Sequence, residues 1–167
     1  MKEGFDIAMR FVFFYEKYRS DDPRDPGGLT IWGICRRDFP GEVDMMLIMT
    51  PEEAQEFAKE IYRKRFWRPI GGDEIPSPLD IVIMDCAVNQ GKFGPGRAID
   101  IRDAAANWWD AIILSYDRYD DLKQFNLYGR GWSKRRVSLR DYITSGYTIL
   151  EWDRASLVPA NKGGQDG

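Results

Sequence analysis

The chain has 167 residues, a formal net charge of -3, no histidine and two cysteines. Without histidine there is no Ser-His or Cys-His catalysis and the commonest zinc ligand is missing. Cys35 and Cys86 form no CxxC pair and cannot hold zinc alone, so neither a metal nor another cofactor is expected.

The acidic balance argues against a nucleic-acid partner, since domains that bind nucleic acid are usually strongly basic. Hydrophobic residues at 43% and aromatics at 14% describe a globular chain, long enough to bury a core without staples. The cysteines suit a reducing compartment, with one disulfide left open. Six tryptophans fit a large-ring core or a groove that stacks on sugar rings. No stretch reaches the ~18–20 apolar residues of a membrane span, and the N-terminus lacks the flanked apolar core of a signal peptide. The sequence is silent on oligomeric state.

In chain order, Phe5, Ala8, Met9, Val12 and Phe13 recur at helical spacing and predict a helix over 3–18. Glu16 follows Val12 by four, so it sits at the edge of the apolar stripe. From the helix alone, an ordinary ion pair with Lys17 or an arginine is a better account of it than chemistry. Residues 19–29 hold Asp21, Asp22, Pro23, Asp25, Pro26, Gly27 and Gly28, which force turns and forbid helix. A calcium loop is a rival reading of these aspartates, without the spaced ligands of an EF-hand. Thr30 to Trp32 predict a short strand ended by Gly33, making a small β-hairpin or flap after the first helix. A carboxylic acid against an apolar wall, beside a rigid acidic loop, suits acid/base cleavage of an acetal.

Residues 35–49 read as irregular, with a turn at Phe39-Pro40-Gly41. Thr50-Pro51-Glu52-Glu53 is a capping box with proline at the first helical position. The helix it starts ends in Arg63-Lys64-Arg65-Phe66-Trp67-Arg68, where cations suit the helix dipole. A Gly/Pro-rich connection runs from Pro69 to Pro78. The next helix, from Leu79 to Gly91, is apolar on most sides and so central, with Asp85 and Asn89 four apart on one face. A further helix is predicted from Gly94-Pro95 to about Tyr116, then a break or short helix over 117–128. Gly129 to Tyr142 carries Arg130, Lys134, Arg135, Arg136 and Arg140, as a solvated basic face or an anion-facing surface. Residues 155–167 read as a flexible tail.

Glu16 lies nine positions before Asp25 and fourteen before Thr30, and D-P-G-G-L-T-I-W-G-I follows. This stretch resembles the glycoside hydrolase 108 family of lysozyme-like muramidases found among bacteriophage endolysins, whose motif has the form E-G-G-Y-x-x-D-P-x-D-P-G-G-x-T-x-x-G-I. L-D-I-V-I-M-D-C-A-V-N-Q-G at 79–91 is similar to a second family stretch. Gly131-Trp132-Ser133-Lys134-Arg135-Arg136-Val137 is similar to a Gly-Trp…Arg-Val signature in the peptidoglycan-binding part. The family's two glycines after the glutamate are Lys17 and Tyr18 here, which sets bulk and a positive charge beside Glu16.

The resemblance implies a mainly α, lysozyme-like helical domain. It divides the chain into a catalytic part over 1–92 and a helical, peptidoglycan-binding-like part over 93–154 packed on it as one compact unit. It implies cleavage of the β-1,4 bond between N-acetylmuramic acid and N-acetylglucosamine in peptidoglycan glycan strands. Glu16 is then the catalytic acid, with Asp25 and Thr30 holding the attacking water. Asp85, Asn89 and Trp32 are expected to touch substrate. The protein would be made in the cytoplasm and reach the wall after release by another factor. Two alternatives stay open: a lytic transglycosylase, and a non-catalytic peptidoglycan- or protein-binding module of lysozyme shape.

Overall fold

The computed structural model describes residues 2–16, 18–21, 27–89, 94–120 and 125–149. Lys17, Asp25 and the tail at 155–167 lie outside the described residues. Among the described residues the fold is mainly α, with a small three-stranded sheet after the first helix.

The first helix, α1, spans Lys2–Tyr15. Its apolar stripe buries Phe5, Ala8, Met9, Phe11 and Val12 almost completely. Three two-residue strands follow: β1 (Arg19–Ser20), β2 (Thr30–Ile31) and β3 (Ile34–Cys35). They pair antiparallel in the order β1-β2-β3, with Arg19 opposite Ile31 and Ile31 opposite Ile34. The β2–β3 connection is the two-residue turn Trp32-Gly33, with φ of +47° and +81°. Positive φ at both positions is the signature of a type I′ hairpin, whose twist matches that of the flanking strands. Glycine adopts this readily; a tryptophan does so only when its surroundings hold it there.

The region 35–49, expected to be irregular, contains a helix, α2, at Pro40–Met46. Pro40 sits at its first turn and Val43 and Met46 are buried, so a seven-residue helix is held by packing rather than length. The next helix, α3, spans Pro51–Tyr62. Its capping box is complete: Thr50 Oγ1 accepts from the Glu53 amide and Glu53 Oε2 accepts from the Thr50 amide. A π-helical turn at Arg63–Trp67 continues it.

Helix α4 (Leu79–Asn89) is central, as its composition predicts: every residue from Asp80 to Ala87 is buried. It packs against α1, α5 and α6. Helix α5 (Gly94–Ala104) comes so close that a Cβ on Gly94 would overlap the Ala87 carbonyl. The single helix expected from 94 to about 116 is in fact two, α5 and α6 (Trp108–Asp120). Asn107 Oδ1 accepts from the amides of Trp109 and Asp110, and Asp110 Oδ2 accepts from the Ala106 amide. These bonds restart the helix, which leaves Ile112 buried and Ile113 exposed. The last helix, α7, spans Phe125–Thr144 and takes in the basic stretch from Gly129 to Tyr142; of the break or short helix expected over 117–128, residues 121–124 lie outside the described residues, between the end of α6 and the start of α7. Helix α7 places Leu139 and Tyr142 in the core, and the Tyr142 hydroxyl donates to the Ile7 carbonyl at 3.0 Å. Both cysteines are free, Cys35 half-buried and Cys86 buried.

Candidate active site

Glu16 follows directly on α1 and still belongs to its last turn, its amide donating to the Val12 carbonyl at 3.0 Å. One helical turn beyond Val12, its side chain leaves the core and is 24% exposed. A carboxylate so placed touches both the protein interior and solvent. Three elements close around it. The turn of the β2–β3 hairpin comes from one side: a Cβ on Gly33 would sit 2.7 Å from Glu16 Cγ and 2.9 Å from Cδ. Tyr62, at the end of α3, comes from another and would overlap the same Cβ with its hydroxyl. Arg135, on α7, donates from Nη1 to Glu16 Oε1 at 3.0 Å.

Tyr62 is fully buried and donates its hydroxyl to the Trp32 carbonyl at 3.0 Å. Burial, and then the charge of Glu16, push its pKa well above the usual tyrosine range. The hydroxyl therefore stays protonated and fixed as a donor. Trp32 is held at its unusual φ by three contacts. Its carbonyl takes the Tyr62 bond, its Nε1 donates to the Pro51 carbonyl at 3.0 Å, and its amide donates to Tyr18. Its ring meets Phe13 edge-on at 5.5 Å and Tyr18 at 5.7 Å.

Arg135 bridges two carboxylates. Its Nε and Nη2 reach Asp85 Oδ1 at 2.9 and 2.8 Å while Nη1 reaches Glu16. The Asp85 Oδ2 oxygen is bound by Arg136 Nη1. The guanidinium of Arg135 also lies 4.9 Å from the Tyr15 ring centre, within cation–π range. Burial acts to lower the Arg135 pKa, but the charges of Asp85 and Glu16 outweigh it and raise the value, so Arg135 is a permanent cation.

Asp85 is 1% exposed and both its oxygens are bound by arginine. Expected to touch substrate, its carboxylate lies inside the protein in this structure, against Arg135 and Arg136. Asn89 is half-buried and donates from Nδ2 to the Asp85 carbonyl at 2.8 Å, back along its own helix. Trp32 is half-buried in the hairpin turn beside Glu16. Thr30 is half-buried on β2, its Oγ1 donating to the Gly28 carbonyl at 3.2 Å. The structure thus brings Glu16, the hairpin of Thr30 and Trp32, and Asp85 through Arg135 around one place. Among the described residues no group of three or more His, Cys, Asp or Glu could hold a metal ion.

Residues 9–91 match the family model described as glycosyl hydrolase 108. By this segment the chain belongs to the glycosyl hydrolase 108 family. Its members are glycosidases, and at the level of the family the chain is a lysozyme-like glycoside hydrolase. Among solved structures, the chain is similar to SagA of Brucella abortus, with a TM-score of 0.68 and 24% identity over 88% of this chain and 97% of SagA. At that identity the likeness speaks for the fold. A search of curated proteins finds no match.

Within the glycosyl hydrolase 108 segment lie Glu16, Thr30, Trp32, Gly33, Tyr62, Asp85 and Asn89. Arg135 and Arg136 lie beyond it. Sequence reasoning missed Gly33, Tyr62, Arg135 and Arg136 as parts of the site. Gly33 stands in the D-P-G-G-L-T-I-W-G-I motif, and the two arginines stand in the third stretch of resemblance, so a signal was present for three of them. Tyr62 reads from sequence as an ordinary core residue of α3.

Proposed function

We propose that the chain is an endolysin-like muramidase that hydrolyses the β-1,4 bond between N-acetylmuramic acid and N-acetylglucosamine in peptidoglycan. The observation that carries this reading is Glu16: a partly buried carboxyl at the end of α1, facing a strained hairpin, inside the glycosyl hydrolase segment. Glu16 gives its proton to the glycosidic oxygen. The bond from that oxygen to the anomeric carbon breaks, and an oxocarbenium-like state develops. Water bonds to the anomeric carbon and loses a proton, which completes hydrolysis. Asp25 stabilises the positive charge and orients the water, and Thr30 hydrogen-bonds it. A separation of the two carboxyls of roughly 6.5–9.5 Å would invert configuration and about 5–5.5 Å would retain it. Trp32 and Asn89 border the sugar. The enzyme acts on the wall after another factor releases it from the cytoplasm.

Glu16→Gln tests the reading, because it keeps shape and removes the proton. Purified variant should fail to clear cell-wall suspensions or release reducing ends. Clearing at the wild-type rate would remove Glu16 from the mechanism. Mass spectrometry of the released muropeptides separates hydrolysis from transglycosylation, whose anhydro product is lighter by one water.

A further inference from the structure

A protonated carboxyl has two unlike oxygens. One carries the proton and can donate; the other can only accept. Which oxygen carries the proton decides where the acid can deliver it. In this protein the choice is made by Arg135. Its Nη1–H donates to Glu16 Oε1 at 3.0 Å, and a guanidinium has no acceptor, so Oε1 is kept as the accepting oxygen. A proton on Glu16 then resides on Oε2.

Arg135 is itself held still. Asp85 Oδ1 accepts from its Nε at 2.9 Å and lies in ion-pair contact with its Nη2 at 2.8 Å, and Arg136 binds the other oxygen of Asp85. Asp85 is 1% exposed and the Arg135 side chain 10%, so solvent does little to loosen the pair. The fork geometry of a guanidinium allows it to span both carboxylates at once, which a lysine ammonium cannot reproduce.

We propose that Arg135 is a positioning residue for Glu16, placing the acid proton on Oε2, and that helix α7 thereby completes a site which the glycosyl hydrolase segment at 9–91 only begins. This rests on Glu16 being the acid. As the proton passes from Oε2 to the glycosidic oxygen, Glu16 becomes a carboxylate. The Arg135 bond to Oε1 then joins two charged groups and strengthens. It is stronger after proton transfer than before, so it lowers the barrier to bond cleavage rather than the energy of substrate binding.

The test uses the full chain as Arg135→Ala and Arg135→Lys, assayed on solubilised glycan strands by reducing-end release. Loss of one preorganised donor at a reacting group lowers kcat about a hundredfold or more, with KM little changed. Guanidinium ion, added far below denaturing concentration, should restore part of the kcat of Arg135→Ala. It should restore nothing to a Glu16→Gln/Arg135→Ala double variant. Should Arg135→Ala fail to hold its fold by circular dichroism, Arg135→Lys keeps a cation for Asp85 and carries the same readout. Wild-type kcat in a folded variant, or a loss that guanidinium leaves untouched in folded Arg135→Ala, overturns the positioning role. Full activity of Glu16→Gln would instead overturn the acid on which it rests, so the two failures are told apart.

Discussion

Gly33→Ala is the sharpest probe of how the site is built. The new Cβ meets two penalties. At φ of +81° an L-residue lies in the left-handed region, which costs about 1–2 kcal/mol. The methyl also arrives 2.7 Å from Glu16 Cγ and on top of the Tyr62 hydroxyl. Neither neighbour yields easily, because Tyr62 is a buried ring bonded to Trp32 and Glu16 is tied to Arg135. Forcing an extra methyl into such a place costs about 1–3 kcal/mol, so the total is about 2–5 kcal/mol. With a urea m-value of about 2 kcal/mol per molar, the unfolding midpoint falls by about 1–2.5 M. Gly146→Ala is the control. Its φ is +70° but no described atom lies within 4 Å of the new Cβ, so only the backbone penalty applies. Activity of Gly33→Ala should fall as well, since relief of the clash moves Glu16. Equal midpoint shifts for the two variants, with full wall-clearing activity in Gly33→Ala, would refute the close approach.

Tyr62→Phe keeps the ring and leaves the Trp32 carbonyl without its donor, at a cost of about 1 kcal/mol by urea unfolding. The same variant carries a pH signature. Burial, with the charge of Glu16, raises the pKa of Tyr62 in the fold, so its contribution is complete below the unfolded value of about 10 and is lost as pH rises above it. Wild-type midpoints should therefore fall more steeply from about pH 10 upward than those of Tyr62→Phe, and parallel curves would refute the assignment. Asp85→Asn leaves Arg135 and Arg136 without their shared countercharge, and breaking a buried pair of this kind costs about 3–5 kcal/mol in thermal or urea unfolding. An effect below about 1 kcal/mol would mean that Asp85 is more hydrated than its 1% exposure indicates.

The elements with local signals were legible in the sequence. The cap at Thr50 and the proline at 51 mark the start of α3, and the apolar run from Ile81 to Val88, interrupted by Asp85 alone, marks α4 as central. The hairpin was legible because Gly33 closes a β-branched run. Short or competing signals were not. Helix α2 has seven residues and depends on burying Val43 and Met46, which local sequence does not show. The break before α6 rests on Asn107 and Asp110, whose capping is easily overlooked inside a continuous apolar periodicity. Helix α7 carries Gly129 and Gly131 within it, and packing of Leu139 and Tyr142 outweighs the roughly 1 kcal/mol that each glycine costs a helix. The site followed the same rule. Glu16 could be read from its motif, whereas its bond to Arg135 joins residues 119 apart in sequence and only the fold brings them together.

This pairing changes what the charges of the chain can do. As a sequence, the run from Arg130 to Arg140 could be a surface for an anionic polymer. In the fold, Arg135 and Arg136 face inward onto Glu16 and Asp85, and Arg140 pairs with Asp141 at 2.6 Å. Of the cations from Lys134 to Arg140, only Lys134 remains as an exposed charge with no carboxylate bonded to it among the described residues. The cations after α3 behave differently. Arg63 is spent on the face of Phe5, at 3.8 Å, but Lys64, Arg65 and Arg68 are exposed. For a protein of net charge -3, attraction toward an anionic wall must come from a local patch rather than from the whole molecule. Among the described residues, exposed cations gather at the end of α3 and its π-helical turn. The basic stretch of α7 instead works at short range, on the carboxyl groups of the site.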